Sequence, residues 1–119
     1  MRGRAPGAVR ALAVLAAAVQ LVVLYAPRAP GLPLFPGADK LIHLVVFAVP
    51  VLLCLLAGWS PRLVLVGFAV HAGLSEVLQG LVLPERSAEP LDVVADLSGV
   101  LLGWWAWHRF RHGAPSARW

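Results

Sequence analysis

Residues 41–59, LIHLVVFAVPVLLCLLAGW, decide the fold of this chain. A helix that crosses a bilayer needs roughly 17 to 25 mostly apolar residues, and this stretch has that length. His43 is its only strongly polar side chain. Stretches of similar character occur at about 9–26, 63–83 and 91–107. We therefore predict one all-α domain over residues 1–119, folded as a four-helix transmembrane bundle.

The composition excludes the soluble globular class. Hydrophobic residues make up 60% of the chain and charged residues 13%, where a soluble domain has about a quarter charged. The lone cysteine, Cys54, lies inside the second span and excludes a disulfide. Within the four spans no metal-ligand spacing such as His-x-x-x-His is present, and the pair with that spacing, His108 and His112, follows the last span, so we expect no metal and no cofactor.

The positive residues predict the orientation. Seven of the ten lie before the first span, between spans two and three, or after span four, and only Arg28, Lys40 and Arg86 lie on the other side. By the positive-inside rule both termini are cytoplasmic. The net charge of +4 then reflects topology, and nucleic-acid binding is not expected. Cleavage of the first span as a signal peptide is disfavoured, because Leu24 and Pro27 make a poor cleavage site.

Polar residues concentrate at the outer ends of spans two, three and four. Asp39 and His43 are four residues apart, as are Asp92 and Asp96, so each pair shares a helix face. Ionisable groups inside membrane segments are costly and commonly functional, so this layer predicts a polar site. The candidate binding residues are Asp39, Lys40, His43, Ser75, Glu76, Gln79, Arg86, Asp92 and Asp96.

The positions of Asp92 and Asp96 in span four have different explanations. Pro90 suits the first turn of a helix, where the helix dipole also favours Asp92. Asp96 lies a turn deeper and should be paired, protonated or bound to a ligand. Its available cationic partners are Arg86, Lys40 and protonated His43.

Three other features bear on packing. Gly99 and Gly103 form a small-xxx-small pair, which favours close helix approach within the bundle, with a homodimer through the two glycines as the alternative. Pro50 predicts a kink in span two near Val46. His71, in span three, is expected to be neutral and hydrogen-bonded, with a proton relay as the alternative.

Three motifs together resemble the pattern of the VanZ-like membrane proteins, over roughly residues 10–107. They are Asp39-Lys40-x-x-His43-x-x-x-Phe47, Ser75-Glu76-x-x-Gln79, and Arg86 followed by Asp92-x-x-x-Asp96-x-x-Gly99-x-x-x-Gly103. The resemblance implies a multi-pass protein of the bacterial plasma membrane. The named example of the family is associated with low-level resistance to the lipoglycopeptide teicoplanin. Asp96 departs from the family, which often carries Asn there.

Two classes of function follow. In the first, an outward-facing polar cavity binds a lipid headgroup, a cell-wall precursor or a glycopeptide and changes glycopeptide sensitivity. In the second, a small intramembrane hydrolase or transferase acts on a lipid-linked or phosphorylated substrate, with His43, Glu76 and Asp96 as catalytic candidates and Arg86 holding an anion. The alternative to both is that the charges only neutralise each other and fix the helix register.

Overall fold

The computed structural model describes residues 6–26, 36–83 and 90–112, and within them the chain is four α-helices without a β-strand. The helices are α1 (Gly7–Tyr25), α2 (Ala38–Leu56), α3 (Pro61–Val82) and α4 (Pro90–His112). The predicted all-α four-helix bundle is confirmed. The helices α1, α2 and α3 are each long and apolar enough to cross a membrane, and α4 falls outside that group. Two aspartates and a basic last turn distinguish α4 from the other three helices.

Many large apolar side chains face outward, and several polar ones are buried beside an apolar core that includes Phe47 and Val51, the arrangement expected of a membrane protein. Leu63 and Leu81 are 73% and 80% exposed, whereas Gln79 and Asp96 are 2% and 0% exposed. In water this distribution would expose apolar surface and desolvate polar groups, both at a cost. In lipid the outer surface costs nothing, so the bundle belongs in a membrane.

The connection between α2 and α3 is short and locally encoded. Gly58 adopts a left-handed conformation, with φ of 94°, just past the end of α2. Ser60 then caps α3, because its hydroxyl accepts a hydrogen bond from the Leu63 N–H at 3.3 Å, and Pro61 occupies the first helical position. These residues hold α2 and α3 as neighbours.

The helices α2 and α4 form the most extensive helix pair in the described part of the chain. A Cβ atom added at Gly99 would lie 2.3 Å from the Leu44 carbonyl oxygen, and one at Gly103 would lie 2.6 Å from that of Ala48. Only glycine permits this approach. The two glycines therefore close the bundle against α2, and the alternative of a homodimer through them stays a prediction.

Candidate functional site

Two ion pairs join the first turns of α2 and α4. His43 Nδ1 lies 2.7 Å from Asp96 Oδ1, and Lys40 Nζ lies 2.8 Å from Asp92 Oδ1. The same ends of the two helices meet, so α2 and α4 run parallel. Spacings of three on α2 and four on α4 put each pair of side chains on one helix face. We call Lys40, His43, Asp92 and Asp96 the charged cluster.

Burial increases from one end of the charged cluster to the other. The Lys40 side chain is 29% exposed, Asp92 and His43 are nearly buried, and Asp96 is completely buried. Water or a ligand would therefore meet Lys40 first. Asp96 can be reached only through the other three side chains or after they move.

Both ring nitrogens of His43 face carboxylates. Beside the 2.7 Å contact of Nδ1 with Asp96, Nε2 lies 3.5 Å from Asp92 Oδ2. An ionised carboxylate only accepts hydrogen bonds, so with both aspartates ionised only the imidazolium form of His43 donates to both. In that state the cluster holds two positive and two negative charges.

Two buried oxygens of the cluster lack a hydrogen-bond donor among the described residues: Asp92 Oδ1, which Lys40 contacts only as an ion pair, and Asp96 Oδ2. Asp96 Oδ2 is inaccessible to solvent and receives no hydrogen bond, although Oδ1 of the same carboxyl is held by His43. Leaving such a group unsatisfied costs about 1–3 kcal/mol or more. The inner end of the cluster therefore has unused capacity to accept a hydrogen bond or a proton.

The predicted binding residue Asp39 lies at the rim of the cluster. Its side chain is 59% exposed, and its Oδ2 lies 2.7 Å from Lys40 Nζ. Asp39 and His43 share a helix face by their spacing, yet the Asp39 carboxylate stays at the surface while His43 is buried. The position of Asp39 at the start of α2, before the helix is covered by its neighbours, keeps it at the surface.

Of the three predicted residues on α3, only Glu76 is linked to the charged cluster. Glu76 is 4% exposed and lies within electrostatic range of the His43 ring. The Ser75 hydroxyl donates to the Ala72 carbonyl of its own helix at 3.1 Å. Gln79 Nε2 donates at 2.7 Å to the Leu24 carbonyl, which belongs to the last turn of α1 and has no partner within that helix. Ser75 and Gln79 therefore have structural partners.

The predicted residue Arg86 lies outside the described residues. Its proposed role as an anion-binding group stays a prediction.

Sequence reasoning missed a second polar group, in which Gln20 of α1 is central. Gln20 is 2% exposed, and its Nε2 donates to the Val46 carbonyl of α2 at 2.9 Å. Val46 precedes Pro50 by four residues, and proline has no N–H to complete the helical bond to that carbonyl. Gln20 replaces the missing donor. A glutamine in an apolar span and a proline four residues after Val46 were the available signals.

The orientation of Gln20 determines the hydrogen bonds of His71. Because the amide nitrogen of Gln20 is used on Val46, its oxygen faces His71 Nδ1, at 3.0 Å, and this ring nitrogen must carry hydrogen. In the neutral ring Nε2 then accepts from the Tyr25 hydroxyl, 2.9 Å away. His71 is hydrogen-bonded as expected. We call Gln20, Tyr25 and His71 the Gln20 network.

A groove of about 340 Å³ lies between α1 and α2, and it is apolar. It does not include any residue of the charged cluster. The predicted outward-facing polar cavity therefore does not correspond to this groove. The lining residues are Leu12, Leu15, Ala16, Val19, Val45, Val46, Val49, Pro50 and Leu53.

No protein-family model, curated protein or solved structure matches this chain. The resemblance to the VanZ-like proteins rests on the three sequence motifs. Two of these motifs supply the charged cluster: Lys40 and His43 come from the first, and Asp92 and Asp96 come from the third.

Proposed function

We propose that this chain is a VanZ-like protein of the bacterial plasma membrane, with both termini in the cytoplasm. Its charged cluster binds a polar component of the envelope and thereby changes sensitivity to lipoglycopeptides. The candidate components are a lipid headgroup, a cell-wall precursor or a glycopeptide. The observation that carries the proposal is the buried Asp96 carboxyl, held on one oxygen by His43 and left without a described donor on the other.

The energetic cost of the cluster supports a binding role. An ionisable side chain inside a membrane helix is costly, and for an aspartate the cost reaches about 2.5–3.5 kcal/mol at the helix centre on insertion scales. The contact between α2 and α4 does not need this expense, since Gly99 and Gly103 already allow the two backbones to meet. Buried ion pairs often stabilise no better than apolar residues of similar volume. A chain that keeps four ionisable side chains at this contact gains something other than packing.

The far end of α4 supports the proposed orientation. The Arg109 guanidinium lies 5.7 Å from the Trp105 ring, and that of Arg111 lies 4.7 Å from the Trp107 ring. Basic and aromatic side chains of this kind are typical of a membrane interface, and the basic ones favour the cytoplasmic side. The charged cluster, at the opposite end of α4, then lies toward the outside.

One observation favours the alternative of an intramembrane hydrolase or transferase. Asp96 holds His43 Nδ1 closely, while Nε2 has only the longer 3.5 Å contact with Asp92. A histidine oriented by a carboxylate on one nitrogen and less restrained on the other is suited to general acid–base chemistry. In that case His43 would transfer the proton, Asp96 would be a positioning residue, and Glu76 would contribute its charge. The substrate class would be a lipid-linked or phosphorylated compound.

Neutral variants of the cluster test the binding proposal. Asp92→Asn and Asp96→Asn remove charge with little change in volume, so both should abolish an effect on lipoglycopeptide sensitivity while the amount of protein in the membrane stays constant. The matched control is Ser98→Ala, since Ser98 is exposed on the same helix and bonds only the Val94 carbonyl of its own helix among the described residues. The proposal fails if the two Asn variants behave as Ser98→Ala does. It also fails if they disappear from the membrane, which would make the cluster structural.

A separate assay tests the enzymatic alternative. Purified protein would be incubated with lipid pyrophosphates, and released phosphate would be measured. Release that Asp96→Asn strongly reduces, and that Ser98→Ala leaves unchanged, supports catalysis through His43. Absence of release across these substrates counts against it.

A further inference from the structure

The Lys40 ammonium group lies between two carboxylates at the exposed edge of the charged cluster. Its Nζ donates a charge-assisted hydrogen bond to Asp39 Oδ2 at 2.7 Å and forms an ion pair with Asp92 Oδ1 at 2.8 Å. The Asp39 side chain is 59% exposed and that of Lys40 is 29% exposed. Asp39 and Asp92 thus form a subsite that fits a primary ammonium group and opens to the outside.

We infer that this ammonium subsite accepts the primary ammonium group of a ligand in exchange for Lys40. The inference rests on the proposed function, in which the charged cluster is a binding site, and it names the chemical class of the ligand. Lys40 is then an internal substitute for the ligand. Its side chain moves outward when the ligand binds.

The charge balance favours a cation over an anion. Among the described residues, Asp39, Asp92 and Asp96 are three carboxylates and Glu76 adds a fourth within electrostatic range of His43, whereas Lys40 and a protonated His43 supply two positive charges. Two like charges 4 Å apart repel by about 4 kcal/mol at an effective dielectric constant of 20. An anionic ligand would meet this repulsion from three carboxylates, and a cationic ligand would be attracted by the same groups.

The burial of the partners also favours a cation over an anion. An ammonium ligand takes the place of Lys40, a point charge on a flexible stem that is partly exposed already. An anion would have to displace Asp92, whose side chain is only 9% exposed, from its contacts with Lys40 and His43. Exchange of the exposed partner costs less, so the geometry selects an ammonium group.

An unsatisfied oxygen within the subsite supplies an independent observation. Asp92 is 6% exposed, and its Oδ1 receives no hydrogen bond from any described residue, although Lys40 Nζ lies 2.8 Å away. The geometry of the tethered lysine therefore leaves an acceptor unused beside the position of the ammonium group. A free ammonium group can orient an N–H toward this oxygen, whereas a ligand that brings only acceptors cannot satisfy it.

Hydrogen-bond geometry separates primary from quaternary amines. A primary ammonium group has three N–H donors, as the Lys40 ammonium has, whereas a trimethylammonium group has none. The ethanolamine headgroup of a phospholipid and a free primary amine share the required chemistry. The choline headgroup carries the same charge without the donors and serves as the matched comparison.

The first experiment uses the full-length protein in lipid nanodiscs that contain equal amounts of phosphatidylethanolamine and phosphatidylcholine. Bound lipid would be counted by native mass spectrometry for the wild type, Lys40→Met and Lys40→Met/Asp92→Asn. Vacating the subsite should raise the preference for phosphatidylethanolamine roughly tenfold, the ratio expected for about one charge-assisted hydrogen bond. The Asp92→Asn change should remove that gain. An unchanged lipid ratio in Lys40→Met overturns the inference.

The second experiment distinguishes a lipid headgroup from a free amine as the ligand. It also tests the inference if Lys40→Met is unstable. The melting temperature of the detergent-solubilised Lys40→Met protein would be measured with methylammonium chloride and with tetramethylammonium chloride. Stabilisation by methylammonium alone, absent in the wild type, supports the subsite. Lipid selectivity together with such rescue identifies a subsite for any primary amine, and selectivity without it identifies the lipid headgroup as the ligand. Equal effects of both salts, without lipid selectivity, contradict the inference.

Failure of this inference and failure of the proposed function give different results. If Asp92→Asn and Asp96→Asn abolish the lipoglycopeptide phenotype and Lys40→Met shows no amine preference, the site binds something other than an ammonium group. If the amine preference is present and the phenotype is unaffected, the subsite exists and the proposed function is wrong.

Discussion

Gln20 donates its side-chain amide to the carbonyl of Val46, the one carbonyl in α2 that Pro50 deprives of its helical donor. The hydrogen bond that Pro50 removes from α2 is therefore replaced by the buried glutamine of α1. Through its oxygen, Gln20 also accepts from His71 on α3. One side chain thus connects three helices, and its contribution can be measured.

We predict that Gln20 and Pro50 are energetically coupled. Gln20→Leu leaves the Val46 carbonyl without a donor, and it should lower the free energy of unfolding by about 0.6–1.7 kcal/mol, the range for interhelical hydrogen bonds in membranes. In a Pro50→Ala background the helix regains its own N–H at position 50, so the same change should cost less. Unfolding of the four proteins in mixed micelles, titrated with sodium dodecyl sulfate, gives the double-mutant cycle.

Gln79 provides the control for this cycle. It is equally buried and also donates to a main-chain carbonyl, that of Leu24, at the end of α1 and away from Pro50. Gln79→Leu should therefore cost a similar amount in both backgrounds. Coupling of Gln79 to Pro50 as strong as that of Gln20 would show that the specific link through Val46 is absent.

The two glycines of α4 should be intolerant of alanine. A Cβ at Gly99 or Gly103 would meet main-chain oxygens of α2 at 2.3 Å and 2.6 Å, and backbone cannot move aside as a flexible side chain can. We expect each substitution to cost at least the 1–3 kcal/mol typical of overpacking. Thermal unfolding in detergent, followed by circular dichroism, measures the loss.

Gly67 is the matched control, because a Cβ added there meets nothing within 4 Å. Gly67→Ala should be neutral or should stabilise α3 by up to about 1 kcal/mol, the difference in helix propensity. If Gly99→Ala were as stable as Gly67→Ala, α2 and α4 would not approach as closely as described.

The ion pair between His43 and Asp96 should be costly to break and inexpensive to replace. Asp96→Leu leaves His43 without its 2.7 Å partner, and we expect a loss of about 3–5 kcal/mol, the usual result of breaking a buried pair. His43→Leu/Asp96→Leu removes both groups and should recover most of that stability. The sodium dodecyl sulfate titration used for Gln20 measures both variants.

The proposed function makes a further prediction for the double leucine variant. The double leucine variant should be stable and should lack any effect on lipoglycopeptide sensitivity. A double variant that is stable and fully active would assign the pair no role in binding. One that is as unstable as the sum of its single variants would show that the pair, and not the apolar packing, holds α2 against α4.

The proposed orientation predicts which loops are accessible from outside the cell. In a Cys54→Ala background, a cysteine at Pro36 should react with an impermeant thiol reagent in intact cells, because Pro36 precedes α2 at the proposed outer side and is exposed. A cysteine at Ser60, in the exposed turn before α3, should react only after the membrane is permeabilised. The opposite labelling would move the charged cluster to the cytoplasmic side.

The sequence could predict the helices, because apolar length is a local pattern that defines each one. A shared depth was sufficient to anticipate that polar side chains of different spans meet, and the spacing of four residues placed Asp92 with Asp96 on one face. The same spacing paired Asp39 with His43, although Asp39 stays at the surface, and it did not identify α2 and α4 as neighbours. The small-residue spacing of Gly99 and Gly103 similarly predicted close packing.

The missed features depend on contacts between different helices, and such contacts leave no regular spacing in the sequence. Gln20, Tyr25 and His71 come from two different helices, and only their rotation about each helix axis brings them together. Gln79 looked like a member of the polar layer, yet its hydrogen bond to the Leu24 carbonyl satisfies the end of α1. Depth in the membrane can be read from sequence, but which neighbour a side chain faces cannot.

The contact of α2 with α4 at two glycines has an evolutionary consequence. Backbone atoms set the helix separation there, so the distance between the two helices does not depend on the side chains one to two turns away. Positions 40, 43, 92 and 96 are then free to change to other polar sets without loss of the bundle. In related chains we expect glycine to persist at positions 99 and 103 while the four charged positions diverge together. One scaffold of this kind could serve ligands of different chemistry in different organisms.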